Sequence, residues 1–142
     1  MRWLLFLWCG LAWAGGDFLI VTSEKTDITA LSEFQVRSIY LGKLDHIEAS
    51  PVQFINLRKR DAVRRAFETA LFGKGFDLED YWLSQRLLDQ ATPPLEVGSW
   101  TLILAYLQRN PGLIGFLEVK HENDLAKLNL KILARIKGKR DS

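Results

Sequence analysis

The sequence PVQFINLRKRDAVRRAFETALFG, residues 51–73, combines a strand pattern with a helix pattern. Residues 51–57 alternate apolar and polar side chains, a pattern that predicts a β-strand. From Asp61, an N-cap candidate, apolar residues recur at helical spacing and predict a helix that ends at Gly73. A strand joined by a short turn to an amphipathic helix is typical of an α/β fold.

The flanking segments predict further strands. Residues 18–21 form a short apolar run with β-branched members, which indicates a buried strand, and residues 113–117 indicate another. Residues 128–136 suit either a strand or a helix. A strand is preferred there, after a turn or short helix at 123–125. Together these segments predict a mixed sheet of about four strands.

Three more helices are predicted. The first starts at Ser32, which can form a capping box with Gln35, and stops at Gly42. The others run from residue 77 towards residue 88, and from near residue 99 to the Asn-Pro-Gly stop that begins at residue 110. The mixed order of strands and helices predicts an α/β fold, with helices flanking a small mixed sheet.

The amino terminus predicts export. A short positive start precedes the apolar run 3–11, and Ala12-Trp13-Ala14 places small residues where cleavage requires them. The run is shorter than the about 20 residues that span a bilayer. We expect a signal peptide over 1–14, one domain over 15–136 and a basic tail over 137–142, in an exported protein. An uncleaved anchor or a buried helix is the alternative for the first segment.

Composition and motifs exclude several classes of function. Cys9 is the sole cysteine and lies in the predicted leader, so neither a disulfide nor a cysteine-based zinc site is expected after cleavage. A net charge of +2 does not indicate nucleic-acid binding. His46 and His121 are isolated, and neither a nucleophile elbow nor a Walker loop is present. We therefore expect no enzyme, metal or cofactor, and no membrane span after cleavage.

Positive side chains gather where the strand 51–57 meets the helix that starts at Asp61. A helix N-terminus offers free N–H donors and the positive end of the dipole, which cations normally avoid. The cluster therefore predicts an oxyanion or acidic-partner site, or else a solvated basic rim without a ligand. As N-cap, the Asp61 carboxylate would occupy donors that an anion needs. The cluster comprises Arg58, Lys59, Arg60, Arg64 and Arg65.

Several short motifs resemble a known family. The segments IYLGK at 39–43 and NPGLIGF at 110–116 resemble the I-[FY]-L-G-K and x-P-G-A-I-G-Y segments of phosphate ABC-transporter substrate-binding proteins, which have the type 2 periplasmic binding fold. The resemblance covers about residues 18–136 and implies a single lobe of that fold. Shorter matches to small members of the group are Ala66-Phe67, Leu71-Phe72-Gly73, Tyr81-Trp82 and Pro93-Pro94.

The resemblance implies a periplasmic solute-binding module for phosphate or a similar oxyanion. The family's phosphate loop, R-S-D-G-S-G-T, corresponds here to LRKRDAV at 57–63, which lacks the serine and threonine hydroxyls and the glycines. Arginine can grip an oxyanion with paired hydrogen bonds, so weak binding by a substitute mode is expected. The expected ligand-binding residues are Asn56, Arg58, Arg60, Ala62, Val63 and Arg64.

The alternative hypothesis is a ligand-less periplasmic interaction or scaffold protein of an envelope assembly. In that case the basic cluster would meet an acidic surface, on a protein partner in the cell envelope or on a second copy of the chain. The missing hydroxyl loop and the length of about one lobe favour this alternative.

Overall fold

The computed structural model describes residues 16–87 and 94–138. The predicted signal peptide, residue 88 and the end of the basic tail lie outside the described residues. A separate pair of short 3₁₀ segments, Val119–Asp124 and Ala126–Leu128, precedes the last strand. The other elements, in chain order, are β1 (Phe18–Ser23), α1 (Glu33–Tyr40), β2 (His46–Ile47), β3 (Ser50–Pro51), β4 (Gln53–Leu57), α2 (Ala62–Phe72), α3 (Leu78–Leu87), β5 (Leu95–Val97), α4 (Trp100–Arg109), β6 (Leu113–Glu118) and β7 (Leu130–Ile136).

Five strands form a mixed sheet in the order β5-β4-β6-β1-β7. Strand β4 pairs in parallel with both β5 and β6, whereas β1 is antiparallel to both β6 and β7. The carboxyl ends of β4, β5 and β6 therefore lie at the same edge of the sheet. Strands β2 and β3 form a separate two-stranded antiparallel ribbon.

Helices cover both faces of the sheet, as two adjacent residues of β6 demonstrate. Successive strand residues point to opposite faces. A Cβ atom at Gly115 would lie 2.8 Å from Ile103 of α4, so α4 packs on that face. The Phe116 ring stacks on Phe67 of α2 with the ring centres 4.0 Å apart, so α2 packs on the opposite face. The predicted architecture, a mixed sheet flanked by helices, is confirmed.

The predicted helix starts are confirmed by their capping contacts. Ser32 Oγ accepts from the Gln35 amide at 3.1 Å, and Gln35 Oε1 accepts from the Ser32 amide at 2.8 Å, which completes the capping box. Asp61 Oδ1 accepts from the Val63 amide at 2.8 Å at the start of α2. Ser99 caps α4. Side-chain caps of this kind fix where a helix begins because they satisfy its unpaired amides.

Two strand predictions need correction. The strand expected over 51–57 is divided, since Ser50 and Pro51 pair with the β2 residues while β4 begins at Gln53. Strand β5 was not predicted, so the sheet has five strands rather than about four. Three residues are too few for a periodicity signal, and only Val97 of them is buried. The strand preferred for the last segment is confirmed as β7.

No helix within the described parts of the chain is both long and apolar enough to cross a bilayer.

Candidate functional site

A cavity of about 150 Å³ lies at the edge of the sheet where β4, β5 and β6 end. In open α/β sheets, ligands bind in crevices outside the carboxyl ends of the strands, which makes this cavity the candidate site. Its walls come from the ends of β4 and β6, the two residues after β5, the starts of α2 and α4, and the 3₁₀ segment after β6. The lining residues are Leu57, Asp61, Val63, Gly98, Ser99, Trp100, Phe116, Leu117, Glu118 and His121.

Two helix N-termini reach this cavity. A four-residue turn, 58–61, joins β4 to α2, and Gly98-Ser99 joins β5 to α4. Because β4 and β5 are parallel neighbours, both helices begin at the same edge of the sheet, although they pack on opposite faces. The positive ends of two helix dipoles therefore face one small volume, an arrangement that favours an anion.

The caps of the two helices differ in charge. The Asp61 carboxylate accepts from the Val63 amide, so it occupies one donor and adds negative charge. Ser99 Oγ is a neutral cap that accepts weakly from the Leu102 amide, at 3.4 Å. An anion would therefore meet a more favourable potential beside Ser99 than beside Asp61.

Arg58 supplies positive charge beside the cavity. Its guanidinium lies against Gly98, since a Cβ atom at that glycine would be 3.5 Å from Arg58 Nη1. Gly98 itself lines the cavity. The arginine is exposed, so its donors remain accessible to a ligand from solvent.

An aromatic pair forms another part of the wall. The indole of Trp100 stacks on the imidazole of His121, with ring centres 3.7 Å apart and planes 18° apart. His121 Nε2 lies 4.0 Å from Glu118 Oε1. The stack holds the start of α4 against the 3₁₀ segment, and both residues line the cavity.

Arg64 is buried, with a side chain only 2% exposed, and it lies at the centre of an ion-pair cluster. Its Nε donates to Glu68 at 2.6 Å, and its Nη2 donates to Glu79 at 3.0 Å. Its Nη1 donates both to Glu96 and to the Leu57 carbonyl, each at 2.9 Å. Arg64 therefore ties α2 to α3, to β5 and to the end of β4.

The electrostatics of this cluster keep Arg64 charged. Desolvation by burial alone would lower the pKa of Arg64, but the hydrogen bond and charge of Glu68, together with Tyr40 and Glu96, outweigh it and raise the pKa. Burial raises the pKa of the Tyr40 hydroxyl well above its ordinary value, and the charge of Glu68 raises it further. Tyr40 donates to Glu68 Oε2 at 3.0 Å, so it extends the cluster to α1.

The structure brings only two of the six expected ligand-binding residues to the cavity. Val63 lines it and Arg58 lies beside it through Gly98. Arg60 and Ala62 are exposed on the turn and first residue of α2. Asn56 is buried, and its Oδ1 accepts from the Leu57 amide at 2.8 Å.

The expected ligand role of Arg64 stays a prediction, and its surroundings argue for a different role. All three guanidinium nitrogens already donate to protein oxygens. One of these acceptors is Glu79, in the first turn of α3. Among the described residues, the arginine acts as a structural link rather than as an open anion donor.

Sequence reasoning missed the second half of the cavity. Ser99 was identified as a helix start, but nothing connected it with the basic turn before α2. That connection depends on the parallel pairing of β4 with the unpredicted strand β5. Glu118 and His121 join the site only because β6 is the neighbour of β4 on its other side.

Within the described residues, no group of three or more His, Cys, Asp or Glu side chains is placed to hold a metal ion.

Comparison with known proteins identifies the fold. No protein-family model matches the chain, and no curated protein matches it. Solved structures do match. PstS from Borrelia burgdorferi has a TM-score of 0.67 and 17% identity, over 85% of this chain and 48% of its own. An ABC-type phosphate transport receptor from Vibrio cholerae has a TM-score of 0.64 and 17% identity, over 84% and 46%. A protein from Clostridium perfringens solved with bound phosphate has a TM-score of 0.60 and 16% identity, over 90% and 57%.

The chain thus spans about half the length of the solved structures that it matches. The predicted fold class is confirmed, because the described residues have the fold of part of a phosphate ABC-transporter substrate-binding protein. The share of those structures that the chain covers, about half, is consistent with a single lobe. At 16–17% sequence identity, the similarity to these solved structures concerns the fold alone.

Proposed function

We propose that this chain is a periplasmic solute-binding module that binds a small oxyanion such as phosphate. In this proposal the chain is not an enzyme. The observation that carries the proposal is the convergence of the α2 and α4 N-termini on one cavity, with Arg58 beside it. Helix N-termini and an arginine together supply the donors and the potential that a phosphate group requires. The similarity of the fold to phosphate-transport proteins supports the same class of ligand.

Binding by this chain alone is expected to be weak. The Asp61 and Glu118 carboxylates line the cavity and repel an anion. Arg58 is exposed, so water and salt screen its attraction. A dissociation constant in the millimolar range, rising with ionic strength, is the expected result.

Isothermal titration of the protein with phosphate at low salt tests the proposal. Arg58→Gln should weaken binding at least about fivefold, because it removes a charged donor beside the cavity. Arg109→Gln is the matched control, since it makes the same charge change at the far end of α4 and should leave binding unchanged. If Arg58→Gln and Arg109→Gln gave equal heats of phosphate binding, the anion would not bind at this cavity. No heat in any of the three proteins would favour the interaction-protein hypothesis.

The periplasmic location is part of the proposal and has its own test. Expression of the full chain should yield, in the periplasmic fraction, a protein whose first residue is Gly15. Mass spectrometry of that fraction checks the cleavage, and retention of an intact Met1 terminus in the cytoplasmic fraction would contradict it.

A further inference from the structure

We infer that the oxyanion bound at this site is organic, with a benzene-sized apolar group that fills the cavity while the anionic head lies at the cavity rim, beside Arg58 and the start of α4. This inference rests on the proposed oxyanion binding and adds the class of ligand. Three observations lead to it: the cavity volume, the apolar wall and the two carboxylates.

The volume of the cavity is suited to a six-membered aromatic ring of a ligand. An apolar cavity of about 150 Å³ is large enough to hold benzene. The cavity here has a volume of about 150 Å³. A phosphate group alone would leave much of that space unfilled and would lose packing contacts with the walls.

The wall is suited to an apolar group. Leu57, Val63, Phe116 and Leu117 line the cavity from three different elements. Trp100 and His121, whose rings stack on each other, also line the cavity. Aromatic rings pack on one another in offset or edge-to-face arrangements, and this pairing contributes beyond the burial of area.

The charges decide which end of the ligand enters. Asp61 and Glu118 line the cavity, so an anion placed deep between them would be both desolvated and repelled. At the rim, Arg58 lies against Gly98, next to the neutral Ser99 cap of α4, and offers paired donors to an oxyanion. The favourable orientation therefore places the negative head at Arg58 and the apolar group within.

Titration with three probes tests this inference on the full protein: phenylphosphonate, methylphosphonate and inorganic phosphate, at one pH and one ionic strength. Phenylphosphonate should bind at least about tenfold more tightly than methylphosphonate, because the two share a head group and differ in buried apolar area.

A cavity-filling variant locates the apolar group. Val63→Phe should abolish the preference for phenylphosphonate over methylphosphonate, because the added ring takes up the space that the phenyl group needs. Leu102→Phe, at an exposed position of α4 outside the cavity lining, should keep the preference.

The outcomes separate this inference from the proposed function. Equal affinity for all three probes would overturn the inference and leave oxyanion binding intact. An unchanged preference in the folded Val63→Phe protein would also overturn it, because the ring would then bind elsewhere. No binding of any probe would overturn both proposals.

Discussion

Two arginines six residues apart have opposite environments in this protein. Arg58 is exposed beside the cavity, whereas Arg64 is buried under three carboxylates. The sequence does contain the signal that separates them. Arg64, Phe67 and Leu71 stand at i, i+3 and i+7, so Arg64 belongs to the core-facing side of α2. Composition groups these arginines together, whereas the helical phase of Arg64 separates the buried arginine from the exposed one.

Arg64→Ala should therefore destabilise the fold by about 3 kcal/mol or more, since removing one partner of a buried ion pair leaves an uncompensated charge at Glu68. Urea unfolding measures this change. Glu96→Gln is the control and should cost less than about 1 kcal/mol, because the Glu96 side chain is 42% exposed and its pair is screened. An Arg64→Ala protein as stable as the wild type, with phosphate binding lost, would mean that Arg64 is a ligand after all.

Asp61 offers a test of the cavity's charge without a change of shape. Asp61→Asn keeps an N-cap acceptor for the Val63 amide, so stability should change by less than about 0.5 kcal/mol. The loss of a negative charge from the cavity lining should tighten phosphate binding about threefold or more at low salt.

The matched control is Asp77→Asn. Asp77 Oδ1 accepts from the Asp80 amide at the start of α3, and Asp77 is not among the residues that line the cavity. Titration calorimetry should give wild-type affinity for this variant. A similar gain in phosphate affinity in Asp61→Asn and Asp77→Asn would indicate a general charge effect rather than a site at Asp61.

The buried hydroxyl of Tyr40 predicts sensitivity to alkali. Its folded-state pKa is raised above the unfolded value of about 10, so the folded protein holds the proton more tightly than the unfolded chain. The stabilisation from this group is complete below pH about 10 and is lost as the pH rises towards the folded-state pKa.

Thermal unfolding between pH 8 and pH 11 measures the effect. The unfolding midpoint of the wild type should fall more steeply above pH about 10 than that of Tyr40→Phe, which cannot ionise. Tyr106→Phe is the control, since Tyr106 is 40% exposed, and it should follow the wild-type curve. If the unfolding midpoints of all three proteins fell in parallel with rising pH, Tyr40 would not be the group responsible.

At the scale of elements, the sequence predicts helices better than strands. Each confirmed helix start carries its own local evidence, a capping side chain such as Ser32, Asp61 or Ser99. Strand β5 lacks a comparable local signal, because it forms only through its pairing with β4. Elements with local capping chemistry are therefore predictable here, and elements defined by a partner strand are not.

The contact between α4 and β6 depends on a residue without a side chain. A Cβ atom at Gly115 would lie 2.8 Å from Ile103 Cγ2 and 3.1 Å from Ile55 Cγ2, both buried. Gly115→Ala should therefore destabilise the protein by about 1–3 kcal/mol through overpacking. Gly16→Ala is the matched control, because nothing lies within 4 Å of the added atom. Equal urea midpoints for the two variants would contradict this packing.

At the scale of the whole molecule, topology assembles the site. Residues 58–64 could be identified from sequence because they form one basic cluster around a single helix start. Gly98, Ser99 and His121 could not be, since they reach the cavity only through a parallel sheet in which β4 lies between β5 and β6. The fold class was predictable from local patterns and family motifs, whereas the complete wall of the site was not.

Oxyanion binding where the two helices begin can be followed one amide at a time. A ¹H–¹⁵N correlation titration with phosphate at low salt reports both the affinity and the location of binding. Saturable shifts are expected at the amides of Ala62, Gly98, Ser99 and Trp100. Small, non-saturating shifts spread over exposed lysines, with those four amides unmoved, would contradict oxyanion binding at these helix starts.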